Sequence, residues 1–255
     1  MKGFENQLRQ LIRETLLAES QSPTARAAAA GLALHSWTRG ETSGVIIYDP
    51  KILLERVGEL VIGPGGALPD VWEIRRVIRD SIHENCIVRS AVSYNTPRSH
   101  SPCWGAEIVQ YSVSADDGHP HVSKMGPAAY EAAMWYAHAL TPDRSLVSQS
   151  AERVWKKYLQ RAEGGDITAL PFDDVEDPKT PEPEDDCYVH GSRRPSLNNA
   201  YTLKSRPSGI DTLERNHGET ADTLESDYGF DEMELSSSLQ KLAIQLFESQ
   251  YDESF

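Results

Sequence analysis

The chain reads as a mixed α/β or α+β layer built on a mainly antiparallel sheet flanked by helices. Three observations predict this. Stretches rich in β-branched and aromatic residues come in neighbouring pairs, "GLALHSWTRGETSGVIIYD" and then "ENCIVRSAVSYN" with "CWGAEIVQYSVSA". Stretches with apolar residues at helical spacing lie before, between and after them. Past Gly164-Gly165 the composition turns acidic and proline-bearing. Strands grouped in hairpins and interrupted by helices give layers over an antiparallel sheet.

The elements follow in order. "MKGFENQLRQLIRETLLAES" is an amphipathic helix with Phe4, Leu8, Leu11 and Ile12 on one face and Leu16 after them. Glu5, Arg9, Arg13 and Glu14 interrupt any apolar core, so it is not a signal peptide. Ser22-Pro23 ends it. A hairpin at roughly 31–48 turns about a polar, Gly-containing link. "KILLERVGELVI" suits a helix, "GPGGALPD" breaks it, and Asp70 is placed to cap a second helix carrying Val71, Ile74, Ile78 and Ile82. Two antiparallel strands come next, then a polar loop "DDGHPHVSK", a helix opening near Gly126, a short strand and the helix "SQSAERVWKKYLQ". Four prolines and nine acids within residues 166–186 predict an extended acidic segment, and periodicity returns only with Leu235, Leu239, Leu242, Leu246 and Tyr251. This divides the chain into an N-terminal helix (1–26), a globular domain (27–165) and an acidic, loop-rich extension with a terminal helix (166–255).

Charge supports the division. Residues 166–255 hold 21 Asp/Glu against 7 Lys/Arg, so the whole formal charge of −14 sits there. The extension either solubilises a loosely structured segment or engages a basic protein surface. No basic stripe offers itself to phosphates, which disfavours nucleic acid as a direct ligand. No run approaches the length of about 18 apolar residues that spans a bilayer, and the chain reads as soluble. Cys86, Cys103 and Cys187 share no metal or redox spacing, so they read as reduced thiols in a cytoplasm-like compartment.

One stretch carries candidate chemistry. In "SKMGPAAYEAAMWYAHAL" a small-residue turn leads through Gly126 into a helix whose first turns hold Ala128, Ala129, Ala132 and Ala133. Free amides and the positive dipole end of a helix N-terminus favour a pyrophosphate, and Lys124 would add a charge-assisted contact. The alternative is an ordinary core helix. Elsewhere, Asp116, Asp117, His119 and His121 form either a metal-binding group or a solvated loop. Arg144 in "TPDRS" either fixes a turn or contacts an anion. "DDVEDPKTPEPEDD" lacks EF-hand spacing and its glycine.

The order strand, loop, Gly-started helix, short connection and second helix resembles the core of the GNAT acyltransferase fold. In that family the loop reads Gln/Arg-x-x-Gly-x-Gly/Ala and holds the pyrophosphate of acetyl-CoA. Laid on "HVSKMGPAAYEAAM", the first position falls on His121, the first glycine on Lys124 and the last on Gly126. "CWGAEIVQ", "MGPAAYEAAM", "LTPDRSLVSQSAERVWKKYL", "LPFDDVEDPKTP" and "EDDC" resemble, in this order, a set found in bacteriophage GNAT-like proteins, some of them internal or virion-associated.

The resemblance implies acetyl-CoA as cofactor on Ser123, Lys124, Met125, Gly126 and Ala128. The family's Asn-x-x-Ala-x-x-Leu/Phe-Tyr pattern reads here as Ser148, Ala151, Val154 and Trp155. The usual tyrosine acid is therefore replaced by Trp155, and Tyr158, one turn later, is its substitute. Glu107 is the candidate base; its alternative is a solvent-facing or ion-paired strand residue. Two functions follow as expectations. One is a virion-associated protein that keeps the fold as a packing module, with other virion proteins as partners and the virion or host cytoplasm as its location. The other is an acyl-CoA-dependent N-acetyltransferase.

Overall fold

The structure, a computed structural model, describes residues 22–61, 70–80, 87–95, 103–114, 125–174, 179–191 and 193–252. The amphipathic helix expected over 1–26 lies outside them up to Gln21. Ser22-Pro23 starts a helix instead of ending one: Ser22 Oγ accepts from the Ala25 amide and Pro23 holds the first helical position of α1 (Pro23–Ala29).

Then follow β1 (Ala33–Arg39), β2 (Thr42–Tyr48), α2 (Pro50–Val61), α3 (Val71–Asp80), β3 (Val88–Asn95), β4 (Glu107–Ser114), α4 (Gly126–Tyr136) and β5 (Leu140–Thr141). The chain continues with α5 (Gln149–Gly164), β6 (Ile167–Pro171), β7 (Asn199–Leu203), α6 (Ile210–Tyr228) and α7 (Glu232–Asp252). The expected hairpin, the capped second helix and the antiparallel β3–β4 pair are all present. Asp70 and Glu73 form a reciprocal capping box, as do Asp231 and Glu234 at α7.

One seven-stranded sheet runs in the order β1-β2-β3-β4-β5-β7-β6. Every pairing is antiparallel except β4 with β5. Alternation along β1 sends Leu34 to one face and Ala33 and Trp37 to the other. The first face is covered by α1, α4 and α5, the second by α2, α3 and α7. α6 serves both: Ile210 and Leu213 join the first core, Ala221 and Leu224 the second. It wraps edge strand β1, and Asn216 Nδ2 donates to the Leu32 carbonyl at 2.7 Å. Two glycines permit close approaches. A Cβ on Gly44 would lie 2.4 Å from the Trp37 ring, and one on Gly209 (φ +96) 2.7 Å from the Thr24 carbonyl.

Residues 166–255 are not a loop-rich extension. They supply β6 and β7, which complete the sheet beyond β5, and two long helices that close the second core. Many of the described acids sit on exposed faces of the helices, while Asp173 and Asp185, in the connection after β6, are buried. α6 escaped sequence reading because its buried stripe alternates Ile210, Leu213 and Leu224 with His217 and Thr220. Cys103 and Cys187, expected as free thiols, form a disulfide across 84 residues with Cα atoms 4.9 Å apart. Sequence spacing carries no trace of so distant a pair; Cys86 lies outside the described residues. Among the described residues no helix is long and apolar enough to cross a membrane.

Two buried polar clusters tie the helices to the sheet. On the first face Glu131 of α4 is fully buried. It accepts from the Thr24 amide and hydroxyl (3.2 and 3.0 Å) and from Arg161 Nη1 (2.5 Å). On the second face His217 Nδ1 lies 2.8 Å from the Tyr48 hydroxyl, and its ring centroid is 4.9 Å from that of His35. Burial, then the charge of His217, pushes His35 down to about 3; burial also lowers His217.

Two outcomes follow. Arg161→Met leaves the Glu131 carboxylate buried without its cation and should cost about 3 kcal/mol in urea unfolding. Both histidines have folded pKa values below the unfolded 6.5, so the unfolded chain binds more protons below that pH. Their stability contribution is complete above pH 6.5 and is lost as pH falls toward 3. For His35 alone the loss should reach about 3 kcal/mol between pH 7 and 4.5. A His35→Phe chain should show a pH–stability curve flatter than wild type by that amount, and parallel curves would refute the assignment.

Candidate functional site

The feature that sets this sheet apart is the fork between β4 and β5. The two strands run parallel and pair only at Glu107↔Leu140 and Ile108↔Thr141. β5 then ends while β4 continues to Ser114, so from Val109 onward β4 has no strand neighbour on that side among the described residues. α4, the crossover between them, starts at the far end of β4. A Cβ on Gly126 would stand 3.4 Å from the Ser114 Cβ. α1, α3, α5 and α7 are each capped by a side chain, whereas α4, at Met125, and α6, at Gly209, have no side-chain cap among the described residues.

The predicted loop residues fare differently. Ser123 and Lys124 lie outside the described residues, as do Asp116, Asp117, His119 and His121. Met125 is buried, and its carbonyl accepts from the Ser90 hydroxyl at 3.0 Å and from the Ala128 amide at 2.9 Å. Gly126 is half-buried at the mouth of the fork. Ala128, expected to approach a ligand, is fully buried in the first core with Ala129, Ala132 and Ala133. The small residues thus let α4 settle closely onto the sheet and α1; what they admit is protein.

Tyr158 is buried too. Its hydroxyl donates to the Pro127 carbonyl at 3.0 Å, bracing α5 against the first turn of α4. Burial, followed by the charge of Glu131, holds its proton far above the ordinary phenol range. Trp155, at the position of the family's acid, stacks on Tyr201 with centroids 5.3 Å apart. Both are core aromatics. Arg144 donates to the carbonyls of Pro142, Tyr188 and Leu197, which gives it the turn-fixing role.

Glu107 opens β4 at the closed end of the fork and lines a cleft of about 270 Å³. Ser36, Thr38, Ser43, Tyr94 and Tyr136 bring five hydroxyls to the same cleft, and Trp37 completes its lining. Burial and then the Glu107 charge raise the pKa of Tyr94. Burial and a 2.5 Å hydrogen bond to Glu214 raise that of Tyr136. Both phenols therefore stay protonated and serve as donors or acceptors, not as bases. Sequence reading found Glu107 but missed the hydroxyls. Their one local signal is that the Leu34 face of β1 turns polar at Ser36 and Thr38.

Comparison of the chain with protein families, curated proteins and solved structures finds no match.

Tyr158→Phe should lower stability by about 1 kcal/mol through the lost hydrogen bond, with the cleft unaltered. Thermal denaturation beside an amide spectrum of the Glu107 region checks this; a shift confined to the cleft would contradict the bracing role.

Proposed function

We propose that the chain binds an acyl-CoA along the β4–β5 fork and transfers the acyl group to an amine held in the Glu107 cleft. The fork is the observation that carries this reading. A parallel pair limited to two residues leaves β4 beyond Ile108 without a strand beside it among the described residues, with the α4 N-terminus at one end and a carboxylate at the other. Glu107 to Ser114 spans about 20 Å of strand, comparable to an extended pantetheine arm. Anionic pyrophosphate at the α4 N-terminus agrees with the helix dipole, although Pro127 has no N–H and the Ala128 and Ala129 amides already donate to the Met125 carbonyl. The sequence resemblance to GNAT acyltransferases supplies the cofactor class.

Glu107 would accept the proton that the amine loses as its nitrogen attacks the thioester carbonyl. The cleft hydroxyls would orient a small polar amine without competing for that proton. Tyr158 keeps its hydrogen on Pro127, so the departing thiolate takes its proton from water.

Calorimetric titration with acetyl-CoA and thiol release with a panel of small amines test the proposal. Acetyl-CoA should bind saturably. Glu107→Gln should slow transfer by about 10²–10⁴-fold while leaving acetyl-CoA affinity unchanged. No binding at millimolar acetyl-CoA would end this reading and leave the fold as a packing module, the role implied by the resemblance to phage virion proteins.

A further inference from the structure

A second cleft, of about 220 Å³, lies on the other side of the sheet, between α3 and α7. α3 contributes Trp72, Arg75 and Arg76; α7 contributes Ser238, Lys241 and Leu242. Each set is spaced i, i+3, i+4 and so occupies one helical face. Among the described residues, three cations and no acid line the cleft, on a chain of net charge −14.

Two polar atoms here are buried and lack a hydrogen-bond partner among the described residues: Arg75 Nε and Ser238 Oγ. Ser238 is only 7% exposed. Arg75 Nη2 reaches Glu234 at 3.8 Å, which leaves Nε for a different acceptor. Buried polar atoms are nearly always paired, so two orphans in one cationic cleft mark the place of an acceptor with several oxygens. The guanidinium of Arg75 also lies 5.3 Å from the Trp72 ring centroid, and Trp72 is 73% exposed at the cleft mouth. An indole held in water by a cation offers a flat apolar surface beside the donors.

We propose that the α3/α7 cleft binds a small phosphomonoester carrying a planar ring. The phosphoryl oxygens accept from Arg75 Nε, Ser238 Oγ, Arg76 and Lys241, and the ring rests against Trp72. The cleft has room for the phosphoryl group and its ester linkage, and the ring stays outside on the indole. Three oxygens around one phosphorus match convergent guanidinium, ammonium and hydroxyl donors better than a planar carboxylate does. This site lies on the face of the sheet opposite the Glu107 cleft, and its lining shares no residue with that cleft.

AMP titrated into the full chain, followed by tryptophan fluorescence, tests this, with inorganic phosphate and adenosine in parallel. AMP should quench saturably with a midpoint below about 1 mM at low salt. Phosphate should compete, and adenosine alone should bind far more weakly. Arg76→Gln and Lys241→Gln, both at exposed positions, should each weaken binding by about tenfold, and Ser238→Ala by several-fold. Trp72→Phe should abolish the quench while calorimetry still registers binding. Circular dichroism verifies that each variant is folded. An unchanged titration in the Arg76→Gln/Lys241→Gln double variant would overturn the proposal. So would a failure to saturate by about 10 mM.

Discussion

Much of this architecture hangs on a carboxylate that no water reaches. Glu131 sits in the middle of α4, the helix pressed onto the sheet by four alanines, and is held from two directions. Thr24 caps it from α1, and Arg161 reaches it from α5. Arg161 also holds Asp166 at 2.6 Å, just ahead of β6. One buried charge therefore fixes three helices and the entry to the last strand pair. Its desolvation is tolerable only because every partner is in place. A helix so anchored keeps its N-terminus at a defined point beside Ser114, which gives the fork a fixed open end.

The same constraint explains why α4 looked like a ligand-binding helix. Small residues, an opening glycine and the absence of a capping side chain fit either a phosphate cradle or tight packing. The structure assigns the alanines and Tyr158 to packing. At the mouth it leaves Gly126 half-buried and the end of the helix uncapped. The body of the helix is thus given to bracing, and the proposed binding is confined to its first turn.

The sheet also separates two chemistries. One face carries hydroxyls around a carboxylate at the fork; the opposite side carries cations and an exposed indole between α3 and α7. α6 binds the two halves together by wrapping β1, and its buried His217 and Thr220 meet polar groups of the sheet. That polar content made the helix illegible to periodicity, since a stripe reads as apolar only when its members are apolar.

Local sequence by itself determined the elements whose instructions are contained within a few residues. These are the Gly40 hairpin, the capping box at Asp70, the Ser148 cap of α5, the β3–β4 pair and the apolar stripe of α7. Turns, caps and periodicities act over one or two helical turns and are written where they act. Tertiary structure alone decided that β6 and β7 lie beyond β5, that Cys103 meets Cys187, that Ala128 faces protein, and that Ser36 and Tyr136 share a cleft with Glu107. Each of these joins groups that come together only when the sheet forms. Their pairing depends on which surfaces remain to be buried, a condition of the whole chain that no short stretch records.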